Sequence, residues 1–347
     1  MSREKLTYAR TGININDSDE VKQNMAKSLE TDNSRVLNSL GAFASLYDFK
    51  FPEYEHPVLV MKTEEPGSKQ KLAFQYGRVR SICYDMINHL INDIIVMGAK
   101  PLAVQDAIIC GAIDKETISG IVDAVSEACK EQDCVLTGGE TSIQPGVLEK
   151  GSYILTSSIV GIADKSKIID GSAIRKRDLV LAVSSNGIHT NGYTLVRAII
   201  DQHPEIMDMQ VGEESFLEAI MKPHLCYYKP LRDLFGMDGL HGMAHITGGG
   251  IEGNLNRVIP EGLNALVDLS RVEIHPVFKL IRQVGNVDER DMLRTFNMGV
   301  GFILVVDPKI ADTVKQHITA NGLKSYVIGE IIDGDKQVVF ENELDWA

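Results

Sequence analysis

Apolar residues recur at helical spacing through Ser81 to Gly98, SICYDMINHLINDIIVMG, where Ile82, Met86, Leu90, Ile94 and Met97 share one stripe. The stripe predicts a helix that closes at Gly98, with Pro101 just beyond. Upstream, His56 to Thr63 (HPVLVMKT) reads as a strand, stopped by the breaker run Glu64, Glu65, Pro66, Gly67 and Ser68. Downstream, Leu102 to Ile109 has strand length and Lys115 to Gln132 is a second amphipathic helix. Cys134 to Thr137 is a strand running into GGET, and Tyr153 to Ile162 is another. Residues 21–48 lack a strand pattern and read as a helix, then a short helical or loop piece.

The second half repeats the mixture. Strands are expected at Leu179 to Val183, His241 to Ile246, Leu263 to Leu269, Gly299 to Val306 and Lys324 to Ile331. Helices are expected at Tyr193 to Asp201, Gly250 to Val258 and Lys309 to Asn321. Alternation of this kind argues for an α/β class with α+β character. A chain of 347 residues exceeds what one core usually organises. The polar, turn-rich run from Lys165 to Asp178 is the natural boundary, giving domains 1–170 and 171–347.

Charge narrows the choice of partners. The formal net charge is −13, from 48 acidic against 35 basic residues, and no block of Lys and Arg interleaves with aromatics. Nucleic acid is therefore not an expected partner, and no apolar run is long enough to span a membrane. The N-terminal MSREKLTYAR lacks the apolar core of a signal peptide, which points to the cytoplasm. Cys83, Cys110, Cys129, Cys134 and Cys226 contain no CxxC pair, so they read as reduced thiols.

An acidic protein that binds an anion does so locally, through backbone amides, a few cations or a carboxylate-held metal ion. Three glycine-rich turns offer such places: LTGGET with Gly138 and Gly139, SNGIHTNGYTLVR with His189, Asn191 and Gly192, and HITGGGIEGN with Gly248, Gly249 and Gly250. Glycine there permits positive φ and removes a side chain that would block a ligand, while free helix amides face a phosphate. No GxxxxGK[ST] and no GxGxxG after a strand is present.

Carboxylates supply the other half. Asp93, beside Asn92 in the first helix, Asp106, Glu140 and Glu64 are the hard oxygen ligands that magnesium bound to a nucleoside triphosphate requires. Asp93 has apolar neighbours on several sides (Ile91, Ile94, Ile95), so a buried carboxylate with a partner is expected. Lys69, after Gly67 and Ser68, is placed to reach a phosphate from a mobile loop, and His189 is the candidate acid, base or donor. His241 and His245 have i, i+4 spacing, but their strand-like context argues against zinc.

Taken in order, INDIIVMGAKPL, LTGGET followed by PG, IVGIADKSKIIDGS, SNGIHTNGYTLVR, HITGGGIEGNLNRVIP and RTFNMGVGFILVV resemble the phosphoribosylformylglycinamidine cyclo-ligase family of purine biosynthesis. The resemblance covers nearly the whole chain beyond residue 55. It implies a homodimer whose N-terminal domains form a β-barrel-like core, and ATP with Mg2+ bound between domains. It also implies a small-molecule ribonucleotide substrate, phosphorylated on its amide oxygen before an amidine nitrogen closes the imidazole ring. Asp93, Asp106 and Glu140 then resemble magnesium and nucleotide carboxylates, with Glu64, Asn92, Gly67, Ser68, Gly138 and Gly139 on the nucleotide side. His189, Asn191 and Gly192 resemble the substrate-side element, joined by the Gly248 to Gly250 run. Related readings are thiamine monophosphate kinase, selenophosphate synthetase and a non-catalytic ribonucleotide-binding paralog.

Three segments depart from the family pattern, all on the nucleotide side. YARTGIN (Tyr8 to Asn14) replaces the usual YKDAGVD, TEEPGSK (Thr63 to Lys69) replaces TDGVGTK, and GGETSIQPG replaces GGETAEMPG, with Ile143 where an acid is usual.

Overall fold

The structure is a computed structural model that describes residues 29–38 and 42–347. Tyr8 to Asn14 and most of the helix expected from residue 21 lie outside the described residues. Residues 42–48 hold no helix; Tyr47 instead forms an isolated antiparallel bridge with Val36.

The first half is built on β1 (Pro57–Glu64), β2 (Lys100–Cys110), β3 (Val135–Ile143) and β4 (Tyr153–Asp164), in the order β1-β4-β2-β3. β4 is antiparallel to β1 and β2, whereas β3 runs parallel to β2. Within the described residues this sheet is open, not a closed barrel, with β1 and β3 as its edges. Between β1 and β2 come α1 (Lys69–Gln75) and α2 (Val79–Ile95), and α3 (Lys115–Glu131) follows β2. α3 starts where the Asp114 carboxylate accepts the Thr117 amide, and Glu116 and Lys130 complement its two ends. It presents Ile118, Ile121, Val122 and Val125 to the core.

α2 is buried far beyond its predicted stripe. Cys83, Ile87, Ile91 and Ile95 are covered as fully as Ile82, Met86, Leu90 and Ile94, while Met97 lies past the helix end and is exposed. Ser81, Asp85, Asn88 and Asn92 on it bond to the chain segment 221–227, which lies alongside. Ser81 donates to the Met221 carbonyl, Asp85 accepts the His224 amide at 2.7 Å, and Asn88 donates to the His224 carbonyl at 2.7 Å. Asn92 donates to the Leu225 carbonyl at 2.7 Å and accepts the Tyr227 amide at 2.9 Å. Buried polar groups need such partners, so the polar stripe is a splint for the second half of the chain.

That second half opens with β5 (Leu179–Ser184), α4 (Tyr193–Gln202), the short pair β6 (Gln210–Val211) and β7 (Glu214–Ser215), α5 (Phe216–Met221) and α6 (Tyr228–Leu231). It continues through β8 (Leu240–His245), α7 (Gly250–Leu255), β9 (Leu263–Asp268), α8 (Pro276–Gly285), α9 (Glu289–Thr295), β10 (Val300–Val306), α10 (Ala311–Ala320), β11 (Ser325–Asp333) and β12 (Val338–Glu341). The sheet order is β12-β9-β11-β5-β10-β8, antiparallel except for the parallel β12–β9 pair. The central runs LVLAV and VGFILVV are buried on both faces, which explains their uninterrupted apolar character. One apolar core runs from α2 and α3 into this sheet.

Candidate active site

The two halves meet where α2, the Glu64–Ser68 loop, the 189–194 turn and the end of β8 converge. On α2, Asp93 accepts a hydrogen bond from His245 Nδ1 at 2.7 Å through Oδ1 and contacts the Lys62 ammonium at 3.0 Å through Oδ2. Lys62 also lies 3.0 Å from Glu64. Burial works against the Asp93 charge, but His245, His89 and Lys62 outweigh it and hold its pKa well below the usual carboxylate range. Burial likewise disfavours the Lys62 charge, and the two carboxylates override it, raising its pKa. Asp93 thus has the partner that its apolar neighbours suggested, although its side chain is 20% exposed and not fully buried.

Around this ion group stand four buried histidines. His89, one helical turn before Asp93, reaches Thr190 Oγ1 with Nδ1 at 3.1 Å and Asp93 with Nε2 at 3.6 Å. His224 Nε2 faces His245 Nε2 at 2.9 Å, and the His189 ring stacks on His224 with 3.8 Å between centroids. Burial lowers the pKa of His89 to about 4 and those of His189 and His224 well below the ordinary value, so these rings are neutral near pH 7.

At the rim, Asn191 Nδ2 donates to Thr190 Oγ1 at 3.4 Å, and a Cβ on Gly248 would sit 3.1 Å from Asn191 Oδ1. Ser68 Oγ lies 3.3 Å from Thr194 Oγ1, and a Cβ on Gly67 would sit 3.5 Å from the Thr190 carbonyl. Gly67, Asn191 and Gly248 therefore gather about Thr190, with Ser68 and Gly249 beside them in the chain, and His89 links Thr190 to Asp93.

Other expected site residues are placed differently. Lys69 is no loop residue: it opens α1, fully buried, 2.8 Å from Asp85 and 2.7 Å from the Lys222 carbonyl it donates to. Its ammonium is consumed in bracing the two halves and does not reach the rim. Asn92 spends its side-chain amide on the 225–227 backbone, as described above. His189 has left-handed backbone with φ 65°, and its buried ring packs against His224 and Tyr227. Neither of its ring nitrogens has a hydrogen-bond partner among the described residues.

The glycines also divide. Gly138 and Gly139 lie inside β3, not in a turn after it, and Gly139 pairs with Asp106. A Cβ on Gly139 would fall 1.9 Å from Asp106 Oδ1, so the missing side chain makes room for a carboxylate of the protein. Gly192, the left-handed N-cap of α4 at φ 82°, leaves room for the Phe296 ring, 2.2 Å from where its Cβ would be. Gly250 is buried against the Leu293 carbonyl.

The four carboxylates do not gather on one point. Glu64, Ser157, Asp106 and Gly139 form one cross-strand row, so Glu64 and Asp106 share a face of the sheet but stand two strands apart, roughly 10 Å. Burial raises the Asp106 pKa to about 7. Glu140, one residue beyond Gly139 and paired with Ala107, projects from the opposite face. Glu64 and Asp93 are the two that converge, each 3.0 Å from the Lys62 ammonium, and two carboxylates are the hard oxygen donor type that fits a magnesium ion.

Sequence reading missed Lys62, His89, Thr190 and His224 and set His245 aside. One signal was available: His89 and Asp93 stand i, i+4 on a helix. His241, paired with Asp178 at 2.7 Å, stands outside the histidine cluster.

The family described as AIR synthase related protein, N-terminal domain, matches residues 50–163, and its C-terminal counterpart matches residues 176–342. The chain is 39% identical over 341 residues to a phosphoribosylformylglycinamidine cyclo-ligase from Carboxydothermus hydrogenoformans, covering 97% of this chain and 99% of that protein. It is 35% identical to another from Alkaliphilus metalliredigens, covering 98% and 99%. Among solved structures, thiamine-monophosphate kinase from Stenotrophomonas maltophilia superposes with a TM-score of 0.66 at 15% identity, covering 94% of this chain and 96% of that one. Hydrogenase maturation protein HypE in complex with ATP gives a TM-score of 0.67 at 16% identity, covering 93% and 91%. At such identities these two establish a shared fold alone.

Proposed function

The chain belongs to the phosphoribosylformylglycinamidine cyclo-ligase family, and on that premise we propose how its residues carry out the ATP-dependent closure of formylglycinamidine ribonucleotide to aminoimidazole ribonucleotide. The observation that supports the assignment of the site is the contact of Lys62 with both Glu64 and Asp93, a group that His89 links to Thr190 and so to Asn191 and Gly248.

Phosphoryl transfer to an amide oxygen needs reactants held in line and charge neutralised, more than it needs a covalent nucleophile. Glu64 and Asp93 would hold Mg2+, which when bound neutralises charge on the phosphate oxygens of ATP. Lys62 sits between them and is the cation already at hand for an anionic group. Gly248 and Gly249 expose backbone at the rim, and Asn191 offers an amide to the ribonucleotide. His245 holds the Asp93 carboxylate in orientation, with His89 and Thr190 as its neighbours. His189 and Lys69 act as positioning residues beneath the 189–194 turn, and Asp106 and Glu140 are placed outside the ion group. We assign residues 1–170 to the nucleotide side and 171–347 to the substrate side.

We also assign a homodimer. β1 is an open sheet edge, and on its outer face Leu59 and Met61 are 48% and 72% exposed, an apolar surface suited to a second copy.

Purified protein with formylglycinamidine ribonucleotide, ATP and Mg2+ should release ADP only when the ribonucleotide is present. Asp93→Asn should lower kcat at least tenfold while the chain stays folded. ADP release driven by thiamine monophosphate instead, or wild-type turnover in Asp93→Asn, would sink the assignment.

A further inference from the structure

We propose that His189, His224 and His245 form a binding site for a divalent transition-metal ion such as Zn2+ or Co2+, separate from the magnesium position at Glu64 and Asp93.

Each of the three rings offers one nitrogen, and these nitrogens lie within 4.8 Å of one another. The three residues are 2%, 1% and 6% exposed, so their rings are largely removed from water. A buried imidazole without a partner is costly, and His189 has none on either nitrogen among the described residues. His189 stacks on His224, with 3.8 Å between ring centroids, so a turn of this unpaired ring would make three nitrogen donors available to one ion. The phosphoryl-transfer reading uses His245 only through its Nδ1 contact with Asp93 and His189 only for position, and so leaves the facing lone pairs without a role.

The outer contacts have the pattern that metal-binding histidines show. Ligating imidazoles usually hand their second nitrogen to a carboxylate or another polar group, which fixes the tautomer. His245 Nδ1 donates to Asp93 at 2.7 Å, leaving its Nε2 as the free lone pair. That lone pair accepts from His224 Nε2 at 2.9 Å, so in the neutral rings His224 carries its proton on Nε2. Its Nδ1 faces Thr190 Oγ1 at 3.5 Å. On metal binding the His224 proton moves from Nε2 to Nδ1, where Thr190 Oγ1 accepts it. No net proton is released, and both Nε2 atoms become ligands.

The distances set the movement required. Ligand nitrogens about 2.0–2.1 Å from a tetrahedral ion stand roughly 3.3 Å apart. His224 and His245 separate by a few tenths of an ångström, and the His189 ring turns out of its stack on His224. Three neutral imidazoles without thiolate suit Zn2+, Co2+, Ni2+ or Cu2+ and are poor ligands for Mg2+. Asp93 supplies the nearby negative charge.

The test is metal binding by the full chain without nucleotide, so it stands or falls independently of turnover. Chelator-treated protein titrated with Co2+ should bind one ion per chain, with the intense visible bands of a four-coordinate site. Zn2+ should displace them and raise the unfolding midpoint, while millimolar Mg2+ should not. His224→Asn and His245→Gln should each lose the spectrum, Asp93→Asn should weaken cobalt binding by about 10–100-fold, and the surface variant His203→Gln should leave it unchanged. A weak six-coordinate spectrum, absence of saturable binding to the wild-type chain, or displacement by Mg2+ would overturn the proposal. Should His224→Asn fail to fold, the wild-type spectrum and its competition with Mg2+ still decide.

Discussion

The Lys69 ammonium lies 2.8 Å from the Asp85 carboxylate, and both side chains are fully buried. Burial lowers the Lys69 pKa and raises that of Asp85, each opposed by the other's charge. The pair ties the Lys222 carbonyl and the His224 amide to α1 and α2, so it fixes the second half of the chain against the first. Removing one partner strands the other. Lys69→Met should therefore cost about 3–5 kcal/mol, and Lys69→Met with Asp85→Asn should recover part of that. Urea unfolding of wild type, single and double variants measures both; a single-variant loss below about 1 kcal/mol would show that the pair does not brace the halves.

The buried histidines predict acid lability well above the carboxylate range. A group with a depressed folded pKa stabilises the protein above its unfolded pKa and loses that contribution as pH falls toward the folded value. For His89 the window runs from about 6.5 to about 4. His189 and His224 are depressed in the same direction, so each adds a slope of about 1.4 kcal/mol per pH unit below about 6.5. Unfolding free energies measured at pH 7, 6 and 5 should fall steeply, and His89→Met should flatten the curve. A level profile from pH 7 to 5 would show that these rings are not held neutral.

Asp106 acts in the opposite sense. Its folded pKa, raised by burial to about 7, gives a contribution present at acid pH and lost as pH rises from about 4 through 7. Asp106→Asn should therefore stabilise the chain at pH 8 by up to about 4 kcal/mol and change little at pH 4. Thermal melts at the two pH values compare them directly; equal shifts at both would mean that the carboxylate is better solvated than its burial implies.

Gly192→Ala tests the turn ahead of α4. A left-handed conformation costs an alanine roughly 1–2 kcal/mol, and its Cβ would also press on the Phe296 ring. The substitution should lower stability by more than about 2 kcal/mol. Pairing it with Phe296→Leu should return part of the loss, because only the contact is relieved and not the backbone strain. Full recovery in the double variant would assign the whole effect to the ring.

Much of the fold was legible because periodicity reports burial. The stripe on α2, the strands before and after it, and the apolar runs of β5 and β10 all follow from which positions must avoid water. α8 and α9, in contrast, were not expected from the pattern, although Pro276 at the first helical position was a usable signal. The GGET turn dissolved into β3 because the strand partner β2 continues alongside it, a contact that no local pattern contains.

For the site, residue order alone supplied the inventory: acids, glycine-rich segments and a family order that names the reaction. Tertiary structure alone decided who meets whom. Asp93 finds His245, 152 positions away, and Lys69 turns from a phosphate ligand into a buried brace. Glu140 leaves the acidic group because successive strand residues face opposite sides of a sheet. His189 packs inward on His224 and Tyr227, a contact between segments that no local pattern contains. Local patterns fix period and polarity, whereas the direction of a side chain and its partner across the chain are set only once the elements pack.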